Sequence, residues 1–444
     1  MSNQKTLNQA LRKFAHLSSR SVYVLQNEGW RGFYARTKQK VSPPKILQPA
    51  WSQTYASEAL TLAQWLDCTP LELEQSRRLV EAHAGSLAIQ TINWYLPHFE
   101  HAYYGGIYTI LRCAAYFAQH YGVQNRLIIL GDANSPLAEE YSKRVAVAFP
   151  ALINTGAVVI HSDSDLPRVP ACDASVATFF STAYYVLKNQ TAKRKFYFLQ
   201  DFEPMFYPAG SASAQVEASY RFGFYGITNT ISLKHIYEEQ FGGKATYFNP
   251  CVDTQLFYPP EERDWGGTHR PYTVFFYARP NFFRNGFELG SVALRKVKDQ
   301  LGSHVRIISA GQQWNPADYG LEGVIENLGL LPYHETAHLY RTCDVGLAMM
   351  FTRHPSYLPF EFMASGCMVV SNLNSSTQWL LKDGENCLLS IASASCIADT
   401  IVRGLEDHKL RQVISANARE LICKQYASWD TQMEHIFTYM CLPE

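Results

Sequence analysis

The stretch "HPSYLPFEFMASG" at residues 354–366, followed at once by the apolar run "CMVVSN" at 367–372, decides how the chain is read. Pro355 and Pro359 mark a loop that passes into a helix, because proline suits a first helical turn and not a helix interior. Gly366 then ends the helix ahead of a short buried strand. The grammar is strand–loop–helix–strand, with one carboxylate, Glu361, in the opening turn. The N–H groups of such a turn lack partners within the helix and attract negative charge. Glu361 either complements the helix dipole or offers its oxygens to ligand hydroxyls, and the motif alone leaves both open.

Working outward, the same grammar recurs. "SLAIQTINWYLP" (86–97) reads as a strand running into a loop, and "GGIYTILRCAAYFAQHYG" as a helix with apolar residues at helical spacing. "RLIILGD", "GAVVIHSD" and "KFYFLQD" read as short buried strands, and "ASVATFFSTAYYVLK" as a helix between two of them. "TVFFYARP", "VRIISAG", "GVIENLG" and "VGLAMM" form a second series with helices between, closed by helices from about 393 to 440. Buried strands alternating with helices predict parallel sheets covered on both faces. The expected fold is α/β, two doubly wound Rossmann-like domains facing a cleft, with ligands beyond the carboxyl ends of the strands. The expected division is a basic extension over 1–60, a first domain over 61–256, a linker over 257–272, a second domain over 273–425, and a final helix over 426–444 that can pack back on the first domain.

Composition sets the limits. The 444 residues are 47% hydrophobic, and 39 Lys+Arg balance 39 Asp+Glu, so no charge excess points to nucleic acid. Residues 1–45 depart from the balance, with nine Lys/Arg and the single acid Glu28. That segment is expected either to pack as a solvated helix or to lie against anionic lipid. Ten scattered cysteines without a CxxC pair read as reduced thiols. With no signal-peptide core and no run of about 20 apolar residues, the expected location is cytoplasmic, with peripheral contact at the inner face of the plasma membrane.

Several patterns could carry chemistry. Gly105 and Gly106 open a helix just after a strand, where backbone can approach a ligand, although no GxGxxG accompanies them. "YARPNFFRNG" (277–286) puts Arg279 and Arg284 in a loop between strand and helix, where two guanidiniums can clamp a diphosphate. "VVIHSDSD" (158–165) offers Asp163 and Asp165 at the spacing of a metal-binding DxD, or simply a polar turn. No GxSxG occurs, which argues against a serine hydrolase of that type. The aromatic run "NWYLPHFEHAYYGG" (93–106) could stack on acceptor sugars, or belong to the core.

Three segments together resemble the retaining glycosyltransferases of family 4, which have the GT-B fold. "FNPCVDTQLFYP" (248–259) is similar to the hinge segment, "YARPNFFRNG" to the strand with its basic loop, and "PFEFMASGCMVVSN" to the helix whose Glu holds the nucleotide ribose. Within that family, "HPSYLPFEFMASG" and "YFLQDFEPMFY" (197–207) look most like the dTDP-rhamnose-dependent rhamnosyltransferases of S-layer and O-antigen glycan assembly. The resemblance implies a nucleotide-sugar donor, a glycan or lipid-linked oligosaccharide acceptor, and no metal or other cofactor. It places Arg279, Arg284, Ser356 and Tyr357 around the donor diphosphate, Glu361, His354 and Arg353 around nucleotide and sugar, and Gly105 and Gly106 on the acceptor side. Asp201 and Glu203 become the candidates for the reaction centre. Two departures stand out: Arg353 replaces the family's second Glu, eight residues before Glu361, and Gln200–Asp201 replaces the usual His–Asp after the fourth strand. Other nucleotide sugars, a GT-B epimerase or a non-catalytic binding scaffold are the alternatives.

Overall fold

The computed structural model describes residues 51–103, 105–132, 135–267 and 269–443. The basic segment 1–45 lies outside them. Residues 52–314 and 324–444 form one compact unit. The intervening segment contains a short 3-10 turn, Pro316–Tyr319, capped by the Asn315 side chain.

Two helices precede the first sheet, α1 (Trp51–Trp65) and α2 (Pro70–Ala82). Thr69 and Glu72 form a reciprocal capping box that starts α2, with Pro70 at its first position. The first sheet has seven strands, all parallel: β1 (Thr91–Pro97), β2 (Gln124–Leu130), β3 (Gly156–Ile160), β4 (Cys172–Ala177), β5 (Ala192–Leu199), β6 (Tyr225–Thr228) and β7 (Lys244–Tyr247), ordered β3-β2-β1-β4-β5-β6-β7. The order reverses direction at β1, next to β4, and such a switch opens a crevice at the carboxyl ends. The helices on its faces include α3 (Gly105–Tyr121), α4 (Ala138–Ala148), α5 (Phe180–Lys188), α6 (Ser211–Ser219) and α7 (Ile231–Phe241).

One reading is corrected here. Residues 174–177, taken as the start of a helix, complete β4, and the helix begins only at Phe180. All six β4 residues are buried, so the small side chains of "CDASVA" carry no alternation to mark a strand. The strand leading to Gln200–Asp201 is therefore the fifth, β5.

The second sheet is also parallel: β8 (Tyr272–Tyr277), β9 (Val305–Ala310), β10 (Glu326–Asn327), β11 (Val345–Ala348), β12 (Met368–Asn372) and β13 (Leu388–Ser390), ordered β10-β9-β8-β11-β12-β13. Around it lie α8 (Phe287–Leu301), α9 (Tyr333–Thr342), α10 (Leu358–Ala364), α11 (Ala394–Glu406) and α12 (His408–Gln425). Helix α10 is the opening stretch. Gly346 lets it sit close, since a Cβ there would meet Phe362 Cδ2 at 2.4 Å.

Buried charges fix the strand ends. Asp173 accepts from the Gln90 and Thr91 N–H groups at 2.9 Å and pairs with Lys193, tying β4 to β1 and β5. Asp344 does the same in the second sheet, accepting from Thr273 N–H and from both terminal nitrogens of Arg270. The irregular segment 257–272 is strapped down as well. Arg263 donates to the carbonyls of Gly366, Arg341 and Cys343, at and just beyond helix ends. The last helix, α13 (Trp429–Cys441), lies against the first domain: Phe437 stacks on Tyr121 at 3.9 Å, and Arg194 donates to the Met440 and Cys441 carbonyls.

Candidate functional site

The carboxyl ends of β1, β4 and β5 frame a cavity of about 220 Å³, lined by Pro97, Gly106, Thr178, Gln200, Asp201 and Glu203 among others. Asp201 divides its carboxylate between two duties. One oxygen accepts from the Phe202 N–H at 2.8 Å, starting the 3-10 turn Glu203–Phe206. The other faces the second domain, where Arg284 donates to it and His354 Nε2 stands 3.5 Å away. Burial holds the His354 imidazole down to about 4, so it is neutral near pH 7 and the contact is polar rather than ionic. Arg284 also lies over the Phe206 ring, its Cζ 4.0 Å from the centroid. Residues from three loops, far apart in the chain, thus meet at one carboxylate.

Glu203, expected beside Asp201 at the reaction centre, lines the same cavity, but its carboxyl is committed to protein partners. Its Oε2 accepts from Phe180 N–H at 2.7 Å and from Tyr197 OH at 2.9 Å, at the start of α5. Burial pushes its carboxyl up to about 8, so it is largely protonated at neutral pH. This geometry suits a brace between β5 and α5.

Glu361 sits in the first turn of α10, 8% exposed, and accepts from Tyr333 OH at 3.2 Å. Burial raises its carboxyl to about 7. Nothing near 361 announces Tyr333, which arrives from α9. Ser356 and Tyr357 both spend their side chains on protein partners. Ser356 Oγ accepts from Leu358 N–H at 3.2 Å, and the buried Tyr357 hydroxyl meets Thr109 Oγ1 of α3 at 2.7 Å.

The two loop arginines take different partners. While Arg284 reaches Asp201, Arg279 lies on its own loop, its Cζ 3.4 Å from the Phe282 ring centroid and its Nε without a hydrogen-bond partner. Gly105 and Gly106 are the first residues of α3, and the Gly106 carbonyl accepts from Gln200 Nε2 at 2.9 Å. A Cβ on Gly105 would meet nothing within 4 Å, so steric need does not explain that glycine. Arg353 lies away from Glu361 in a separate groove with Phe202, Ser232, His235 and Ser375. Both DxD carboxylates are engaged: Asp163 pairs with Lys188 at 2.7 Å, and Asp165 accepts from the His161 and Ser162 N–H groups and from Arg168. Among the described residues, no group of three or more His, Cys, Asp or Glu is arranged to hold a metal ion.

Two doubly wound parallel domains with polar side chains meeting where their strand ends face each other define the GT-B fold. Residues 272–402 match the family model described as WsaF, C-terminal domain. The O-antigen biosynthesis protein RfbC of Myxococcus xanthus is 40% identical over 380 residues, which is 84% of this chain and 29% of that protein. The chain thus spans less than a third of this relative's length. The sucrose-phosphate synthase of Thermosynechococcus elongatus superposes with a TM-score of 0.61 at 14% identity, over 79% of this chain and 98% of that one. Anabaena HepE, solved in complex with UDP-glucose, gives 0.59 at 16% identity, over 78% and 99%. At these identities the structural likeness is one of fold. No helix among the described residues is long and apolar enough to cross a membrane.

Proposed function

We propose that this chain is a glycosyltransferase of bacterial surface-glycan assembly that moves a sugar from a nucleotide donor to a glycan or lipid-linked acceptor. The observation that carries the reading is the meeting of Asp201, from the first domain, with Arg284 and His354, from the second. A carboxylate and a guanidinium facing each other across strand ends supply two things glycosyl transfer needs: an acceptor for hydroxyl hydrogen bonds and a fixed cation for a leaving phosphate. The 40% identity to an O-antigen biosynthesis protein supports the same class.

In the finer form of the proposal the donor is dTDP-β-L-rhamnose and the anomeric configuration is retained, with no metal required. Arg284 and Arg279 meet the diphosphate, and Glu361 takes the single free 3′-hydroxyl of the donor's deoxyribose. The bond from the sugar C1 to the phosphate oxygen breaks, a bond from C1 to the acceptor oxygen forms, and the acceptor proton passes to the departing phosphate. Asp201 orients that acceptor hydroxyl. A neutral His354 beside it leaves the local charge balance to Asp201 and Arg284. Arg279, Arg284 and Glu361 all lie within the WsaF C-terminal match over 272–402. Association with the inner membrane face through residues 1–45 belongs to the same reading, since it would bring the enzyme to a lipid-linked acceptor.

The test is release of nucleoside diphosphate from dTDP-rhamnose, UDP-glucose and GDP-mannose, each with lipid-linked acceptor and each with and without chelator. The expected result is release from dTDP-rhamnose, undiminished by chelator and reduced at least tenfold in Glu361→Ala, the scale of one lost hydrogen bond to a charged group. Turnover in which Glu361→Ala matches the parent would overturn the site.

A further inference from the structure

The groove that holds Arg353 is separate from the contacts around Asp201 and Glu361. It has a volume of about 250 Å³ and lies between α7 of the first domain, which supplies Ser232, His235, Ile236 and Gln240, and two loops of the second, which supply Arg353, Ser375 and Ser376. Ser232 Oγ donates to the Ser376 carbonyl at 2.8 Å, joining the two walls. Phe202, adjacent in sequence to Asp201, forms the side toward the reaction centre.

Its chemistry is one-sided. The lining includes a guanidinium, an imidazole, three serine hydroxyls and one amide, with no carboxylate. Among the described residues neither the Arg353 nor the His235 side chain makes a hydrogen bond or ion pair, whereas those of Arg263, Arg270, Arg284 and Arg411 are all engaged. An arginine left without a carboxylate, beside hydroxyl donors and one residue from a reaction centre, is placed to accept a planar or tetrahedral oxyanion.

We propose that this groove is a second oxyanion subsite, distinct from the donor diphosphate position, and that it takes a carboxylate or phosphate carried by the acceptor. Arg353 supplies the paired N–H donors, while His235 and the Ser375 hydroxyl complete the cradle. That the anion belongs to an acceptor rests on the transfer reading above; that the groove binds an anion does not.

Calorimetric titration of the full chain with D-glucuronate and with glycerol 3-phosphate, against D-glucose and glycerol, tests this. One or both anions should bind and the neutral compounds should not; the anion that binds tells a uronic-acid source from a phosphate source. Arg353→Glu should weaken binding on the order of tenfold or more, with His235→Glu acting in the same direction. Both residues are exposed, so neither variant threatens folding. Saturating nucleoside diphosphate should leave the titration unchanged. Absence of binding by either anion, binding untouched in Arg353→Glu, or competition by nucleoside diphosphate would each overturn the subsite. Failure of the transfer reading shows separately, as no nucleoside diphosphate release while anion binding persists.

Discussion

Glu361 has the strongest consequence at the scale of a single residue. Its carboxyl titrates near 7 because it is buried, and ligand hydroxyls donate to the ionised form. Binding that needs the carboxylate must therefore remove a proton below pH 7 and removes none well above it. Nucleotide affinity should be flat at alkaline pH and fall toward acid, by up to about tenfold per pH unit. Glu361→Gln, which keeps the shape and loses the titration, should bind more weakly and show a flat profile from about pH 5 to about pH 8. An acid-side fall that survives in Glu361→Gln would assign the titration to another group. Tyr333→Phe removes the hydroxyl that donates to Glu361 and should shift the bend in the profile upward.

Among the elements, β5 carries a testable oddity. Lys195 is fully buried within it, and among the described residues its partners are Ser76 Oγ at 3.2 Å and the Leu187 carbonyl at 2.9 Å. Burial pulls its ammonium down from 10.5 to about 7. Between those values the unfolded chain holds the proton and the folded one does not, so this lysine's contribution to stability rises with pH across the window. Lys195→Met should be more stable than the parent near pH 7. That advantage should shrink by about 1.4 kcal/mol for each pH unit toward 10. Comparing the two proteins cancels the buried thiols and Glu203, which titrate in both. A difference independent of pH would show that Lys195 stays charged in the folded state. β5 also shows what the chain pattern could and could not reveal. "KFYFLQD" reads plainly as a strand because its apolar run is long and aromatic, whereas the small residues of β4 do not.

For the whole molecule, the polar contacts between the two domains include Asp201 with Arg284 and His354, Thr109 with Tyr357, and Ser232 with the Ser376 carbonyl. If Asp201 and Arg284 hold the closed arrangement in solution, a double-mutant cycle of Asp201→Asn and Arg284→Gln on thermal stability should give a coupling energy of about 0.5–3 kcal/mol. A coupling near zero would mean the pair forms only with ligand. The double variant should also scatter X-rays as a more open particle, read as a larger radius of gyration, with unchanged secondary structure by circular dichroism.

Much of this architecture was legible in the chain because it depends on local rules. Apolar runs of strand length, glycines after helices, and a proline-marked loop before Glu361 are written in neighbouring residues, and they dictate parallel sheets with a crevice at their carboxyl ends. Which side chains share that crevice is decided only by tertiary packing. Arg284 turns to Asp201 while Arg279 lies on Phe282, Tyr357 spends its hydroxyl on Thr109, and Tyr333 reaches Glu361 from another helix. Burial, which moves Glu203, Glu361 and His354 from their ordinary protonation, likewise belongs to no short stretch. The sequence by itself determined the sheets and the helices between them, because periodicity and turn chemistry act over a few residues. The folded structure alone decided the partners and protonation of the site, because those depend on desolvation and contacts between segments tens to hundreds of positions apart.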